Sequence, residues 1–439
     1  MVCIARISDA DRFLKNGFEC GDALGVDRRI PERSCVMRIP EDVLYVLSRL
    51  EEQGFEAYLV GGCVRDFLLG RMPQDFDITT NALPREIAHV FSADRVILTG
   101  VQHGTVTVLH GRVSVEVTTF RTDGEYGDGR HPDFVLFSNC LTEDLMRRDF
   151  TVNAMAMDRL GRITDPYGGQ SDLQARCLRA VGDPMKRFSE DALRILRAFR
   201  FASVLAFEIE SSTLEAAYVL ASKLSLVSRE RIFSELKKLL CGCSASGVLA
   251  KMLSGDLWTH IFSLPKINSC AFGYLDRLPF RADIRLSALL LGDPMADAHV
   301  YSLKPSAAFF HRVTAVLHCP VLSGCSAPYL RRILADVGRE VVLDRAQIDM
   351  YESGSGDSYH MVQKILSEEN CFSIRDLKIN GQDVLRTTAL RGEQVGIALQ
   401  AVLYAIFDGK IQNTRSDALE FLQIVSANLL DTGKKVDKC

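Results

Sequence analysis

The chain has 439 residues, of which 47% are hydrophobic and 25% are charged. At roughly 150 residues per domain, this length predicts about three domains, and the composition excludes a collagen-like or wholly disordered chain. Lysine and arginine together number 52 against 56 acidic residues, which gives a net charge of -4. No overall positive field therefore favours a nucleic-acid partner, and any such partner must be held by local basic patches.

The thirteen cysteines are scattered, odd in number and without a CxxC pair. Neither a disulfide framework nor a zinc site is expected from this pattern, which favours the reducing conditions of the cytoplasm. No apolar run approaches the ~18 residues of a membrane span, and the charged N-terminus does not resemble a signal peptide. We therefore expect a cytoplasmic protein with no membrane association and no obligate protein partner.

The first elements predict a strand, a glycine turn and a helix. Residues 1–36 lack steady periodicity and are expected to form a flexible extension, whereas Pro40 precedes apolar residues at helical spacing. Residues 57–60 have the sequence AYLV of a short buried strand, and Gly61 and Gly62 end it.

Three further strands follow along the chain. Residues 76–79 form one candidate strand, and residues 104–109 and 113–120 alternate like the two arms of a hairpin. From Pro184 onward the apolar residues recur with a period of 3.6, and strand signals nearly vanish. The pattern predicts an α+β head, a mixed sheet with helices over residues 37–165, followed by a mostly α-helical remainder.

Acidic residues on the predicted strands indicate a metal site. Asp75 and Asp77 are two residues apart, which on a strand places both carboxylates on one face. Taken alone, such a pair is more often a turn or a solvated edge. Glu116 alternates with Ser114 and Thr118 on a later strand and would complete a set of hard oxygen ligands, for which Mg²⁺ is the favoured cation.

The glycine turn indicates an anion site beside this metal site. Gly61 and Gly62 allow close approach of a ligand to the backbone, and the helix that follows directs its positive end towards anions. Together the two features predict a site that binds a phosphate group next to a divalent cation.

Five ordered motifs carry a family resemblance. They are LVGGCVRD at 59–66, DFDITTNA at 75–82, RRDFTVNA at 147–154, DPYGG at 165–169 and EDALRILR at 190–197. In these segments the chain resembles the class II tRNA nucleotidyltransferases, or CCA-adding enzymes, and the bacterial poly(A) polymerases of the polymerase β superfamily.

The resemblance implies roles for individual residues. Asp75 and Asp77 would bind the catalytic Mg²⁺ ions and Glu116 would be the third carboxylate of a two-metal nucleotidyl transfer that releases pyrophosphate. The residues implied to bind the nucleotide are Gly61, Gly62, Arg65, Arg148, Asp191, Arg194, Arg197 and Arg200. The helical remainder would divide into a neck (166–245) with the nucleotide-selecting helix, a body (246–370) and a tail (371–439) that binds tRNA.

The segment around Asp191 can also be argued from its chemistry. Asp191, Arg194, Arg197 and Arg200 follow at intervals of three and would form one stripe on a single helix. Such a stripe is ordinarily a solvated face. As a base reader, however, a carboxylate beside a guanidinium complements the amine and ring acceptors of cytosine and adenine, whereas guanine and uracil present a carbonyl that the carboxylate repels.

Three activities share these motifs: addition of CCA to tRNA, partial addition of CC or of A alone, and polyadenylation. Residues 100–108 resemble the hairpin of CCA-adding enzymes, and residues 121–132 resemble the full flexible loop that CC-only relatives lack. We therefore expect CCA addition to tRNA from CTP and ATP, with A-only addition as the alternative and polyadenylation as a more distant one. A non-catalytic RNA-binding module would have lost one of the three acids, and a small-molecule nucleotidyltransferase would not need the long helical part.

Overall fold

The computed structural model describes residues 39–123, 135–262, 265–368 and 371–432. The predicted N-terminal extension and most of the predicted flexible loop, residues 124–132, lie outside the described residues. The chain forms two compact units, Met1–Leu264 and Pro265–Cys439. Within the described ranges, no helix is long and apolar enough to cross a lipid bilayer.

A seven-stranded mixed sheet forms the head of the first unit. Its strands are β1 (Ala57–Val60), β2 (Phe76–Thr80), β3 (Arg95–Ile97), β4 (Thr105–His110), β5 (Val113–Thr119), β8 (Ala156–Met157) and β9 (Ile163–Thr164). They lie in the order β3-β4-β5-β2-β1-β8-β9, with β2 and β5 parallel and the other pairs antiparallel. A separate two-stranded ribbon pairs β6 (Arg121–Asp123) with β7 (Val135–Phe137). The predicted α+β head with a mixed sheet is confirmed.

The two faces of β5 show why the alternating pattern predicted a strand. Val115 and Val117 are fully buried, whereas Ser114 and Glu116 face solvent. Burial of the valine side chains stabilises the sheet by the hydrophobic effect, by roughly 1.5 to 3 kcal/mol each. The alternation leaves the acidic side chain on the open face, which is the face available to a ligand.

Helices of the head pack against this sheet. They are α1 (Glu41–Glu52), α2 (Gly62–Leu68), α3 (Pro84–Val90) and α4 (Leu141–Met146). Helix α1 begins directly after Pro40, as the sequence predicted, and buries Val43, Val46, Leu47 and Leu50 at positions i, i+3, i+4 and i+7. Its first turn carries Glu41 and Asp42, which suit the positive end of a helix.

The rest of the first unit is mainly helical. It contains α5 (Gly169–Ala175), α6 (Pro184–Glu190), α7 (Leu193–Leu205), α8 (Ser211–Val219), α9 (Arg229–Leu240), α10 (Ala245–Ser254) and α11 (Leu257–Ile261), with one short parallel pair, β10 (Cys177–Leu178) and β11 (Glu208–Ile209). Ser203 of α7 donates a hydrogen bond to the carbonyl of Leu239 at 2.8 Å. A Cβ on Gly242 would lie 2.0 Å from Ser203 Oγ, so only glycine fits where the chain leaves α9.

One prediction about this region was wrong. Asp191 does not share a helix with Arg194, Arg197 and Arg200, because α6 ends at Glu190 and α7 begins at Leu193. Asp191 has extended backbone angles, φ −143° and ψ 107°, and its side chain accepts a hydrogen bond from the Leu193 N–H at 3.0 Å. Aspartate often satisfies the free N–H groups at the start of a helix in this way, and a spacing of three residues does not reveal it.

The second unit is helical throughout its described part. Its helices are α12 (Ala282–Leu290), α13 (Ala296–Ser302), α14 (Ala307–His318), α15 (Ala327–Val337), α16 (Arg339–Ser353), α17 (Asp357–Glu368), α18 (Gly381–Thr387), α19 (Glu393–Phe407) and α20 (Arg415–Thr432). Buried Val384, Leu399, Val402 and Phe407 belong to one apolar core of the C-terminal helices. The predicted helical remainder is therefore confirmed, while the predicted limits at residues 165, 245 and 370 stay predictions.

Candidate functional site

Two acidic residues lie side by side on the open face of the head sheet. Asp77 of β2 is the register partner of Glu116 on the parallel strand β5, and Asp75 directly precedes β2 and is exposed. Burial raises the pKa of the Asp77 carboxyl to about 6; Glu116 and Asp75 add to the increase, and Arg148 opposes it. The carboxylates are thus close enough to repel one another, which favours a cation between them.

The ligand set of this acidic group is incomplete by itself. Among the side chains that the structure describes, no three or more His, Cys, Asp or Glu residues form a ready metal site. Mg²⁺ commonly takes only one or two carboxylates and completes its shell with water and substrate phosphates. The aspartates therefore fit Mg²⁺ better than a cation that needs a full protein cage.

The turn after β1 brings a glycine and an arginine to the same place. Gly61 has a φ of 74°, and a Cβ on it would lie 3.0 Å from Arg148 Nη1 and 3.8 Å from Asp77 Oδ2. A side chain at residue 61 would strain the backbone and collide with this guanidinium. Gly61, Asp77 and Arg148 therefore meet at one point, next to the start of α2 at Gly62.

A fully buried aspartate holds Arg148. Asp144 accepts hydrogen bonds from Arg147 at 2.7 and 2.9 Å, from Arg148 at 3.2 Å and from the Thr79 hydroxyl at 3.2 Å. Burial would raise the pKa of Asp144, but the two guanidinium groups outweigh it and the pKa is lowered. Sequence reasoning missed Asp144, although its spacing of three and four residues from two arginines is the signal for such a contact.

Arg148 retains a donor for a ligand. Its Nε atom is buried and has no hydrogen-bond partner among the described atoms. A buried donor without a partner costs about 1 to 3 kcal/mol, so an anionic ligand that accepts from it would be stabilised. Arg148, whose Nη1 atom faces Gly61, therefore has a donor that its protein contacts leave unused.

Arg65 of α2 is anchored on the same side. The residue is 9% exposed, and its side chain donates to Asp66 Oδ1 at 2.9 Å and to Asn153 Oδ1 at 2.7 Å. Asn153 in turn donates to Asp149 Oδ1 at 3.1 Å. A hydrogen-bonded path therefore leads from the glycine turn to the segment 149–153.

The path continues to the arginines of α7. Arg197 binds Asp149 Oδ2 through Nε at 2.8 Å, and Arg200 lies 2.7 Å from Glu235 Oε2 of α9. Burial would raise the pKa of Asp149, but the cation of Arg197 lowers it to about 2, so Asp149 stays ionised. Asp149 and Glu235 are partners that the sequence reasoning did not predict.

The predicted base-reading pair is divided between two other partners. Asp191 Oδ2 accepts from Arg231 Nη2 of α9 at 2.7 Å, and Arg194 Nη1 donates to Glu190 at 2.5 Å. The structure therefore brings Asp191 and Arg194 to neighbouring places and gives each a partner that the sequence did not predict. Arg231 was missed because it lies forty positions further along the chain.

The comparisons with known proteins agree with this geometry. A family model described as "Poly A polymerase head domain" matches residues 57–179, and one described as "Probable RNA and SrmB- binding site of polymerase A" matches residues 206–270. The CCA-adding enzyme of Streptococcus suis is 35% identical over 396 residues, covering 88% of this chain and 97% of that protein. The chain belongs to the CCA-adding enzyme family.

Two further relatives support this membership. The CCA-adding enzyme of Limosilactobacillus fermentum is 35% identical over 388 residues, covering 84% of this chain and 92% of that protein. The crystal structure of the Bacillus stearothermophilus CCA-adding enzyme in complex with CTP is 31% identical with a TM-score of 0.76, covering 90% of this chain and all of that one. The chain is therefore an enzyme, as the sequence predicted, and the predicted family is confirmed.

Proposed function

We propose that this enzyme adds CCA to the 3' end of tRNA without a nucleic-acid template, using CTP and ATP and releasing pyrophosphate. The observation that carries the proposal is the meeting of Asp77, Gly61 and Arg148, which puts a carboxylate, an open backbone and a guanidinium donor at one point. A nucleoside triphosphate needs this combination, because its phosphates bind donors and its reacting phosphate needs a cation. The family name and the CTP complex of the Bacillus stearothermophilus relative support the choice of nucleotide.

Asp75 and Asp77 would hold Mg²⁺, and Glu116 would be the third acidic group. When bound, Mg²⁺ ions lower the pKa of an attacking hydroxyl and neutralise the leaving pyrophosphate. The raised pKa of Asp77 supports the proposal, because burial and the neighbouring carboxylates of Glu116 and Asp75 disfavour its charge and a bound cation would offset both. Arg148, held by Asp144, would orient the triphosphate from the opposite side.

The selection of C and A would depend on Asp191 and Arg194. Asp191 is held by the N–H of Leu193 and by Arg231, so its oxygens keep a fixed direction and act only as acceptors. Such a carboxylate accepts from the amine of cytosine or adenine and repels the carbonyl of uracil or guanine. Asp191→Ala should therefore keep Mg²⁺ binding but lose the preference for CTP and ATP over UTP and GTP; unchanged selectivity would refute this templating role.

A tRNA end-point assay tests the activity itself. Transcripts that end before C74, after one C and after both C residues are incubated with CTP, with ATP or with both. A CCA-adding enzyme completes all three, whereas an A-only enzyme extends only the transcript that ends in CC. Long adenosine tracts on any substrate would indicate polyadenylation, and failure to extend the first transcript would overturn the proposal.

A tRNA partner and a cytoplasmic location complete the proposal. We propose that the helical part contacts tRNA phosphates, because a net charge of -4 leaves only local basic patches for this purpose. Arg331 and Arg332 form one local basic pair, which lies at the end of α19 and donates to the Phe407 carbonyl and to Asp408. A cytoplasmic location is proposed because the scattered cysteines, odd in number and without a CxxC pair, do not indicate a disulfide framework.

A further inference from the structure

A single aromatic ring lies among three arginines of the candidate nucleotide site. The guanidinium carbon of Arg200 is 3.6 Å from the centroid of the Phe201 ring, that of Arg65 is 5.2 Å away and that of Arg197 is 5.4 Å away. All three distances fall within the ~6 Å over which a cation is attracted by an aromatic ring. Phe201 is itself buried, with 6% of its surface exposed.

The ring is also held by the segment that binds the arginines. Phe150 packs its ring against Phe201 with centroids 5.7 Å apart and planes at 77°, an edge-to-face contact. Its neighbour Asp149 binds Arg197, and Asn153 of the same segment binds Arg65. The position of the Phe201 ring is therefore fixed by the residues that fix two of the cations around it.

The three cations repel one another, and their acidic partners only partly offset this. Burial lowers the pKa of Arg200 to about 10; Glu235 opposes this, and the nearby Arg197 and Arg65 add to the decrease. Arg200 Nε and Glu235 Oε2 are 2.7 Å apart but lack hydrogen-bond geometry. Arg200 is therefore held by an ion pair that does not direct its donors and by the face of the ring.

We propose that Phe201 is a positioning residue that sets the spacing of Arg65, Arg197 and Arg200 for the triphosphate of the incoming nucleotide. An aromatic face attracts the cations, and a ring of fixed size sets the distances between them. This inference rests on the proposed function. Because CTP and ATP carry the same triphosphate, the effect of the ring is the same for both.

The test is replacement of Phe201 by phenylalanines with one, two and three ring fluorines in the full-length enzyme. Fluorine withdraws charge from the ring face and weakens attraction to a cation, while the shape of the side chain is nearly kept. We expect KM for CTP and for ATP to rise stepwise, by about tenfold with three fluorines, with kcat within about threefold. KM values that stay flat across the series would overturn the proposal.

Two controls complete the experiment. The same fluorinated residues at Phe91, which is fully buried and packs against Tyr45, should leave KM unchanged. Arg65→Ala and Arg200→Ala separate this inference from the function beneath it. If neither alanine variant raises KM, these arginines do not hold the nucleotide and the inference fails, whereas CCA addition itself is judged by the tRNA end-point assay; if both raise KM while fluorination does not, only the role of Phe201 fails.

Discussion

Asp191 and Arg231 are joined across forty positions of the chain, with 2.7 Å between the carboxylate Oδ2 and the guanidinium Nη2. The aspartate lies in the extended link between α6 and α7, and the arginine lies in the first turn of α9. A carboxylate in a short link can rotate unless a second element holds it. Arg231 therefore fixes the direction in which the proposed base reader presents its oxygens.

Replacement of Arg231 by glutamine should lower base selectivity. Without the guanidinium, Asp191 gains rotational freedom and its repulsion of a carbonyl is no longer directed at one point. We expect the ratio of kcat/KM for CTP to that for UTP to fall about tenfold, the equivalent of about 1.4 kcal/mol. Single-nucleotide incorporation on tRNA ending before C74 measures this ratio.

Lys251→Gln is the matched control for Arg231→Gln. Lys251 pairs with Glu208 at the surface of the same unit, and exposed pairs contribute little to stability. This variant should keep the wild-type selectivity. Equal selectivity of the two variants would show that Arg231 does not act through Asp191.

Asp149 should make the free energy of unfolding depend on pH in the acidic range. Burial would raise the pKa of Asp149, but Arg197 lowers it to about 2 in the folded chain, below the unfolded value near 3.8. The resulting stability is fully present above about pH 4 and is lost as the pH falls through 2. Because the shift amounts to roughly 2 kcal/mol, Asp149→Asn should be less stable by about this amount at pH 6 and by about half of it at pH 3.

Urea unfolding of both proteins at several pH values measures this difference. The change in the free energy of unfolding between wild type and Asp149→Asn is the quantity to compare. A difference that stays constant from pH 6 to pH 3 would contradict an ionised Asp149 as the source of the stability.

Asp77→Asn should abolish nucleotide transfer while leaving the fold intact. The amide has no charge and binds Mg²⁺ poorly, so we expect kcat to fall at least about a thousandfold, equivalent to about 4 kcal/mol of the activation barrier. Chelation of Mg²⁺ with EDTA should have a similar effect on the wild-type enzyme and be reversed by added Mg²⁺. Glu52→Gln, an exposed change on α1, serves as the control.

Activity of Asp77→Asn within tenfold of wild type would argue against the acidic group as the metal site. Circular dichroism and thermal unfolding show whether a loss of activity reflects misfolding. Because Asp77 is half-buried next to other carboxylates, removal of its charge should stabilise the protein slightly.

Ala206→Gly should stabilise the first unit. Ala206 ends α7 in the left-handed conformation, with φ 55° and ψ 46°, which favours glycine. We expect a gain of about 0.5 to 1 kcal/mol, seen as a higher Tm. Ala250→Gly, in the middle of α10, should instead lower stability by about 1 kcal/mol; a loss of stability in both variants would contradict this account.

The sequence predicted those parts of the site that depend on residues close together in the chain. The alternation around Glu116 and the glycines after residue 60 fix strands and a turn within a few residues, so the acidic group and the glycine turn could be read directly. The break at Asp191 was missed because an aspartate three residues before an arginine suits both a continuous helix and the start of a new one.

The sequence did not reveal the contacts between segments that are far apart along the chain. Arg231 and Glu235 reach the site from α9, and nothing in their own neighbourhood distinguishes them from ordinary surface charges. Asp149 lies inside a recognised motif, yet its role as the partner of Arg197 depends on the packing of α7 against residues 149–153. Spacing alone carries no information about such packing.

The close approach of Gly242 to Ser203 connects the packing of α7 to the accuracy with which nucleotides are selected. Any substitution at residue 242 must push α7 away from the end of α9, because the space for a methyl group is already filled. Every reactive group of the enzyme would survive such a substitution, yet Arg194 on α7, a proposed base reader, would be directed differently. Genetic screens for strains that add the wrong nucleotide to tRNA should therefore recover substitutions at Gly242, although glycine has no side chain.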